Sequence, residues 1–333
     1  MLVSVIIPVY NAEAYVRQAV ESALIQPETG EVILIEDASP DGSLHECRRL
    51  AAQFGKVRLL RHPDHRNHGP GASRNLGIRA ARFDYVAFLD ADDFFLPGRF
   101  SVAKKVFETD PKAEGVYEAV GVHFETESAK QRWREKGLPR LTTMTKRVPP
   151  DTLFEVQSPV GNLGYCSTGG WVVKRSVFRR TGFFDEHLWL HQDTAMFVKF
   201  SAVCRMVPGQ LEEAVTMRRV HAGNRISAPR SALDIYGDRL LMWATLWEWC
   251  RTNLDKRRCE LVVARLVQHV ATPYDRGNPR LVRYLRSIGR LSLLLVKYPE
   301  LCLELRFWRR CVATFLIHGR PHFLEDTVDP SKT

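Results

Sequence analysis

The sequence predicts an α/β fold: a mostly parallel sheet flanked by helices, followed by a C-terminal helical appendage. Three observations carry this. The first half alternates short apolar, β-branched runs with segments whose apolar residues recur at helical spacing, and strands separated by helices imply parallel pairing through right-handed crossovers. Apolar runs end abruptly in acid at Glu36-Asp37 and at Asp90-Ala91-Asp92-Asp93, and the crevice beyond the carboxyl ends of parallel strands is where open α/β sheets bind ligands. After Ser227 the pattern becomes helical to about His318. The expected division is therefore a domain of residues 1–226 and a helical region of residues 227–333.

Each element has its own local reason. Val3 to Val9 is β-branched and apolar, hence a first strand. Asn11 is placed to cap a helix carrying Tyr15, Val16, Ala19, Val20, Ala23 and Leu24 on one stripe. Glu31 to Asp37 reads as a second strand, and Ser43 opens a helix through Leu44, Leu50 and Ala51. Val57 to Leu60 is a third strand. Gly69 to Arg82 reads as a glycine-rich turn into a helix, and Tyr85 to Asp90 as a fourth strand, apolar enough to be buried on both faces. From about Lys112 to Val160 the pattern weakens, and the basic stretch Lys130 to Lys146 reads as an excursion over the sheet. Thr168 to Lys174 is a further strand and Asp193 to Val203 a further helix.

Composition narrows the class. Of 333 residues, 45% are hydrophobic and 26% charged, the balance of a globular protein with a sizeable core. The seven cysteines are scattered and form no C-x-x-C pair, which argues against a disulfide framework or zinc site and fits a reducing compartment such as the cytoplasm. Met1 to Tyr10 lacks a basic flank and a cleavage site and reads as a strand rather than a signal peptide. No apolar run reaches the ~20 residues of a spanning helix. The net charge of +10 is concentrated late, among Arg280, Arg283, Arg286, Arg290, Lys297, Arg306, Arg309, Arg310 and Arg320. Without a nucleic-acid motif beside it, this excess points to anionic membrane contact rather than to nucleic acid. The aromatics Trp243, Trp247, Trp249, Phe307, Trp308 and Phe315 fit membrane contact and core packing equally.

The chemistry is carried by the strand ends. Asp90 and Asp92 are two positions apart and would share one side of an extended backbone. Paired carboxylates make a hard-oxygen site suited to Mg²⁺ or Mn²⁺, often completed by ligand phosphates. A solvated turn or an acidic helix cap before Leu96-Pro97 is the other reading of the same residues.

The ordered set Ser4-Val5-Ile6-Ile7-Pro8-Val9-Tyr10-Asn11, Asp37 to Ser43, Gly71-Ala72-Ser73-Arg74-Asn75 and Phe88-Leu89-Asp90-Ala91-Asp92-Asp93 resembles a family-2 glycosyltransferase of the Rossmann-like GT-A fold, over roughly residues 1 to 225. The resemblance implies roles. Pro8, Tyr10 and Asp37 would line the nucleotide site, Tyr10 stacking on the base and Asp37 accepting the uracil imide N–H. Arg74 would reach the diphosphate, where a permanently charged, forked donor is suited. Asp90 and Asp92 resemble the D-x-D pair, with Asp92 the direct metal ligand. Gly182 to Ala195 is similar to the segment that supplies the general base, placing Asp193 in that role with Gln192 where the family usually has Glu. A helix cap is the other reading of Asp193. Arg218 to Ser227 resembles the loop that closes the catalytic domain, where His221 would touch metal or phosphate or be structural. Gly169-Gly170-Trp171 resembles the acceptor-side floor, with Trp171 either stacking on a sugar or filling the core.

The expected protein is thus an inverting, metal-dependent glycosyltransferase using Mn²⁺ or Mg²⁺, moving a hexosyl or N-acetylhexosaminyl group from a nucleotide-sugar, a UDP-sugar first of all, to a glycan or lipid-linked acceptor in envelope polysaccharide synthesis. The alternative is a sugar-nucleotide-binding protein without catalysis.

Overall fold

The computed structural model describes residues 1–221, 224, 232–271 and isolated positions between 288 and 311. It opens with β1 (Val3–Val9), α1 (Val16–Leu24), β2 (Thr29–Glu36), α2 (Ser43–Gln53), β3 (Val57–Arg61), α3 (Gly69–Ala80) and β4 (Tyr85–Phe88). Then come β5 (Phe94–Phe95), α4 (Ser101–Thr109), β6 (Gly115–Tyr117), β7 (Val120–Phe124), α5 (Glu127–Glu135), β8 (Leu141–Thr142) and α6 (Leu153–Val156). The remainder is β9 (Trp171–Lys174), α7 (Phe178–Thr181), α8 (Gln192–Val203), β10 (Met206–Pro208), β11 (Thr216–Val220), α9 (Ala232–Asn253) and α10 (Lys256–Ala271). The chain divides into two units, Met1–Pro229 and Arg230–Thr333.

In the first unit a seven-stranded sheet has the order β10-β6-β9-β4-β1-β2-β3. β1 pairs in parallel with both β2 and β4, and β2 with β3. Alternation along β1 divides the core: Val5, Ile7 and Val9 join Val16, Ala19 and Val20 of α1 on one face, while Ile6 joins Ile78 of α3 and Phe197 of α8 on the other. Gly77 lets α3 lie close to the sheet, since a Cβ there would stand 2.4 Å from Ile6 Cγ2.

The sheet departs from the expected pattern at β9, which runs antiparallel between β4 and β6. Reversal follows from its entry: the chain crosses a second, four-stranded sheet, β5-β11-β7-β8, before returning. The basic stretch read as an irregular excursion contains α5 and the edge strand β8 of that second sheet. Thr126 Oγ1 accepts from the Ala129 N–H, capping α5. Asn11 does not cap α1. It adopts a left-handed conformation (φ 51°), and α1 begins at Val16 without a side-chain cap.

In the second unit α9 and α10 pair, with Tyr236 and His269 stacked at 4.5 Å. Trp243, Trp247 and Phe307 are buried, as core packing requires, and Trp308 is partly exposed. The late arginines and Phe315 invoked for membrane contact lie outside the described residues. Among the described residues no helix is long and apolar enough to cross a membrane.

Candidate active site

The strand order turns about β1: the chain builds β2 and β3 to one side and β4 to the other. Such a switch point opens a crevice beyond the carboxyl ends of β1 and β4. Tyr10 stands just past β1 with its ring half-exposed, available for stacking. Pro8 is buried within β1, so its side chain is closed to a ligand.

Asp37 follows β2, and its N–H extends the ladder to Val9 O at 2.9 Å. Its carboxylate is nearly sealed and accepts from the backbone N–H groups of His68 and Gly69, both at 2.8 Å. It therefore clamps the entry of α3, where Gly69 (φ +81°) takes the left-handed turn that glycine allows. His62 lies 3.6 Å from Asp37, and burial lowers its pKa while Asp37 opposes.

The three acidic residues after β4 do not share one side. β4 ends at Phe88, and Asp93 N–H closes a turn on Asp90 O at 3.0 Å, so the extended-backbone argument for Asp90 and Asp92 does not hold. The turn sends each carboxylate elsewhere. Asp90 pairs with the buried Arg74, which also faces the Phe184 ring. Asp92 Oδ2 lies 3.2 Å from His221 Nε2 and accepts from Asn224 Nδ2 at 3.1 Å. Asp93 points inward, accepting from the Arg219 N–H at 2.9 Å. Burial, reinforced by Asp92 and Asp90, pushes its pKa well above the usual carboxylate range.

Asp193 sits in the first turn of α8, behind the left-handed His191 (φ 61°), and accepts from the Thr194 N–H at 2.7 Å. Arg218 on β11 gathers the site: burial would lower its pKa, but the charges of Tyr165, Asp93, Asp193 and Asp90 together raise it.

Among the described residues no three His, Cys, Asp or Glu side chains form a preformed metal cage. The donor set of Asp92 and His221 fits a divalent cation that draws its other ligands from water and phosphates, the habit of Mg²⁺. An octahedral cation needs no more protein ligands than one or two when a diphosphate completes the shell.

The acceptor-side assignments need correction. Trp171 is fully buried, stacked on Phe197 at 5.6 Å, with its indole N–H donated to Cys166 O at 3.0 Å. It fills the core and offers no face to a sugar. Gly170 serves packing: a Cβ would lie 2.2 Å from Glu118 O. Gln192 is buried with Oε1 beside Gly71, where a Cβ would stand 2.7 Å away, and that oxygen has no hydrogen-bond partner. It wedges α8 against α3 rather than lining an open surface.

Sequence reasoning missed three side chains. Trp189 is exposed in the loop before α8 and packs 3.5 Å from where a Gly69 Cβ would stand, at the mouth between Gly69 and Asp193. Its signal was a large aromatic in a polar loop next to the motif of the base. Arg218 and Arg219 were legible only as part of a motif. Arg219 Nε donates to Asp92 O at 2.9 Å and its guanidinium lies over the Tyr15 ring, bracing the acidic turn.

The model of glycosyl transferase family 2 matches residues 4–182. The chain belongs to that family. A glycosyltransferase of Haemophilus influenzae is 44% identical over 94 residues, covering 28% of this chain and 37% of the relative. The succinoglycan biosynthesis protein ExoU of Rhizobium meliloti is 40% identical over 97 residues, covering 29% and 28%. These alignments thus span well under half the length of such relatives. A glycosyltransferase of Nostoc is 27% identical over 236 residues, 70% of this chain and 69% of the relative. A crystal structure of S. aureus TarS 1–349 with UDP-GlcNAc superposes with TM-score 0.63 at 18% identity, covering 95% of this chain and 89% of TarS 1–349. The fold is therefore the GT-A fold with a helical C-terminal part, as the sequence motifs implied.

Proposed function

We propose that the protein is an inverting, divalent-metal-dependent glycosyltransferase that moves a sugar from a UDP-sugar to a hydroxyl of a growing polysaccharide. The observation that carries this is the approach of the first turn of α8, which bears Asp193, to the start of α3, where Gln192 Oε1 lies 2.7 Å from where a Gly71 Cβ would stand and Arg74 pairs with Asp90. A donor site and a candidate base then share one crevice. The donor class is supported by TarS, whose crystal structures hold UDP-GlcNAc and UDP. The pathway class is supported by ExoU and its role in succinoglycan biosynthesis. Residues 1–226 would form the catalytic domain and 227–333 the helical region.

Tyr10 stacks on the base and the rim of the Asp37 clamp receives its edge. Asp92 and His221 would hold the cation, which would supply positive charge to neutralise the departing diphosphate. Arg74 adds a permanent positive charge beneath that group and is itself positioned by Asp90. Asp193 takes the proton of the acceptor hydroxyl as its oxygen bonds to the anomeric carbon and the bond to the nucleoside diphosphate breaks. A single displacement with one base inverts the anomeric centre. Trp189 supplies the aromatic face that Trp171 does not, covering the acceptor ring at the mouth of the crevice.

Incubation with UDP-, GDP- and dTDP-sugars in the presence of Mn²⁺ tests this directly. Metal-dependent release of UDP is expected. Nucleotide binding without release from any donor, with or without acceptor glycans, would instead make the chain a non-catalytic sugar-nucleotide binder.

A further inference from the structure

The seven-stranded sheet has a second edge. β4 enters at Tyr85 and leaves toward Asp90, so at ~3.3 Å per residue the amino end lies roughly 17 Å from the acidic turn. At that far edge a cavity of about 500 Å³ opens between the end of α3, the start of β4 and the segment after β9. Arg79, Lys174, Arg175 and Arg179 line it, against the single carboxylate of Asp84. Its apolar wall is Ile78, Tyr85, Phe178 and Phe183.

The charge is unbalanced for a purely structural cluster. Among the described residues none of the three arginines has a carboxylate within 4.0 Å, whereas the neighbouring Arg180 pairs with Glu114 at 2.5 Å. Arg79 in the last turn of α3 offsets the helix dipole there. That does not account for Arg175 and Arg179, which come from a different segment and converge on the same hollow. Arg175 is held at the rim, its N–H donating to Asp84 O at 2.7 Å. The Arg79 guanidinium carbon lies 4.4 Å from the Phe183 ring centroid, a cation–π contact at the cavity wall. A concave wall of one sign focuses its field on whatever enters. Guanidinium forks match phosphate oxygens in pairs, and the volume suits a ligand with an apolar body as well as a charged head.

We propose that this cavity is a second ligand site, separate from the donor crevice, that binds a phosphate-bearing molecule with an apolar portion. Anionic phospholipid head groups and soluble phospho-compounds share that chemistry. Bound phosphate would bridge the segment after β9 and the end of α3, whose start at Gly69 is clamped by Asp37.

Amide hydrogen exchange on the full chain reads the site locally. Pyrophosphate at millimolar concentration is the soluble probe, and phosphatidylglycerol vesicles, with phosphatidylcholine vesicles as control, are the lipid probe. Exchange over residues 173–183 should slow with at least one anionic probe. The Arg175→Glu/Arg179→Glu variant should need about tenfold more of that probe, and Arg175→Gln/Arg179→Gln should fall between. Slowing by pyrophosphate alone identifies a soluble ligand, and slowing by phosphatidylglycerol a lipid head group. Occupation of the donor crevice would protect residues 68–75 and 90–93 instead, so the two sites are read separately. No slowing over 173–183 with either anionic probe, or equal slowing in the charge-reversed variant, overturns the proposal.

Discussion

His221 Nε2 lies 3.2 Å from Asp92 Oδ2 although 129 positions separate them in the chain. β11 makes the link. It pairs with β5 immediately after the acidic turn, and Arg219 donates to Asp92 O through Nε and to Asp93 Oδ1 through its backbone N–H. The buried Asp93 is thus the anchor of the turn, and Asp92 is the carboxylate it presents. Four consecutive residues divide three tasks because a hydrogen-bonded turn, not a strand, ends the run.

Asp92→Ala should abolish metal-dependent turnover with the fold intact. The side chain is about a third exposed, and the turn is held by Asp93 and Arg219 rather than by it. A loss of about 10³-fold in kcat is expected, the scale of several kcal/mol that a cation supplies. EDTA should reduce the wild type to the same level and leave the variant unchanged. Wild-type turnover in a variant of native circular dichroism would remove Asp92 from the metal site.

Asp193→Asn keeps the acceptor for the Thr194 N–H and loses basicity. Transfer should fall by about 10²-fold or more, the contribution of a positioned base, while nucleotide affinity persists. Kinetics and nucleotide titration on the same preparation separate the two. Equal loss of binding and transfer would make Asp193 a helix cap and place the base elsewhere.

Glu31 predicts a pH dependence of stability. Its carboxylate accepts from Ser4 Oγ, the Arg82 N–H and Arg58 Nη1, each at 2.7 Å. Burial acts to raise its pKa, but the hydrogen bonds from Arg58, Arg82 and Ser4 outweigh it and hold the group below its ordinary value. With the folded pKa below the unfolded one, the stabilisation is fully present above about pH 4.3 and is lost as pH falls through the folded value. Glu31→Gln should cost about 1–3 kcal/mol at pH 7. In urea titrations the gap between wild type and variant should close toward pH 3. A gap that stays constant with pH would show that the ionised form contributes nothing.

Much of this was legible because the physics is local. Val3–Val9 was read to the residue, since β-branched apolar runs between turn residues have few other uses. The stripe of α1 and the opening of α2 at Ser43 follow from helical spacing alone. What failed depended on distant chain. The antiparallel setting of β9 follows from a second sheet in which β11 pairs with β7 at Thr216 and Val120, nearly 100 positions apart. Whether Asp90 and Asp92 point together depends on a turn that β11 and Arg219 brace from over 100 positions away. Trp171 and Trp189 were distinguishable only by burial, which a single chain of letters does not contain.

Trp189 therefore carries the last prediction. Its ring is largely exposed, and Gly69 supports one side of it. An aromatic ring held against backbone loses little freedom when a sugar covers its outer face, so its contribution appears as binding rather than as chemistry. Trp189→Ala should raise the acceptor KM by about tenfold, near 1.4 kcal/mol, with kcat nearly unchanged. Trp189→Phe should recover part of the loss. Hydrolysis of the UDP-sugar without acceptor should be unaffected, because Tyr10, Asp37 and Arg74, the residues proposed to hold the donor, lie on other elements. If the variant instead loses nucleotide affinity in parallel, the ring supports the Gly69 turn and the Asp37 clamp behind it. An unchanged acceptor KM with active enzyme would remove Trp189 from the acceptor path altogether.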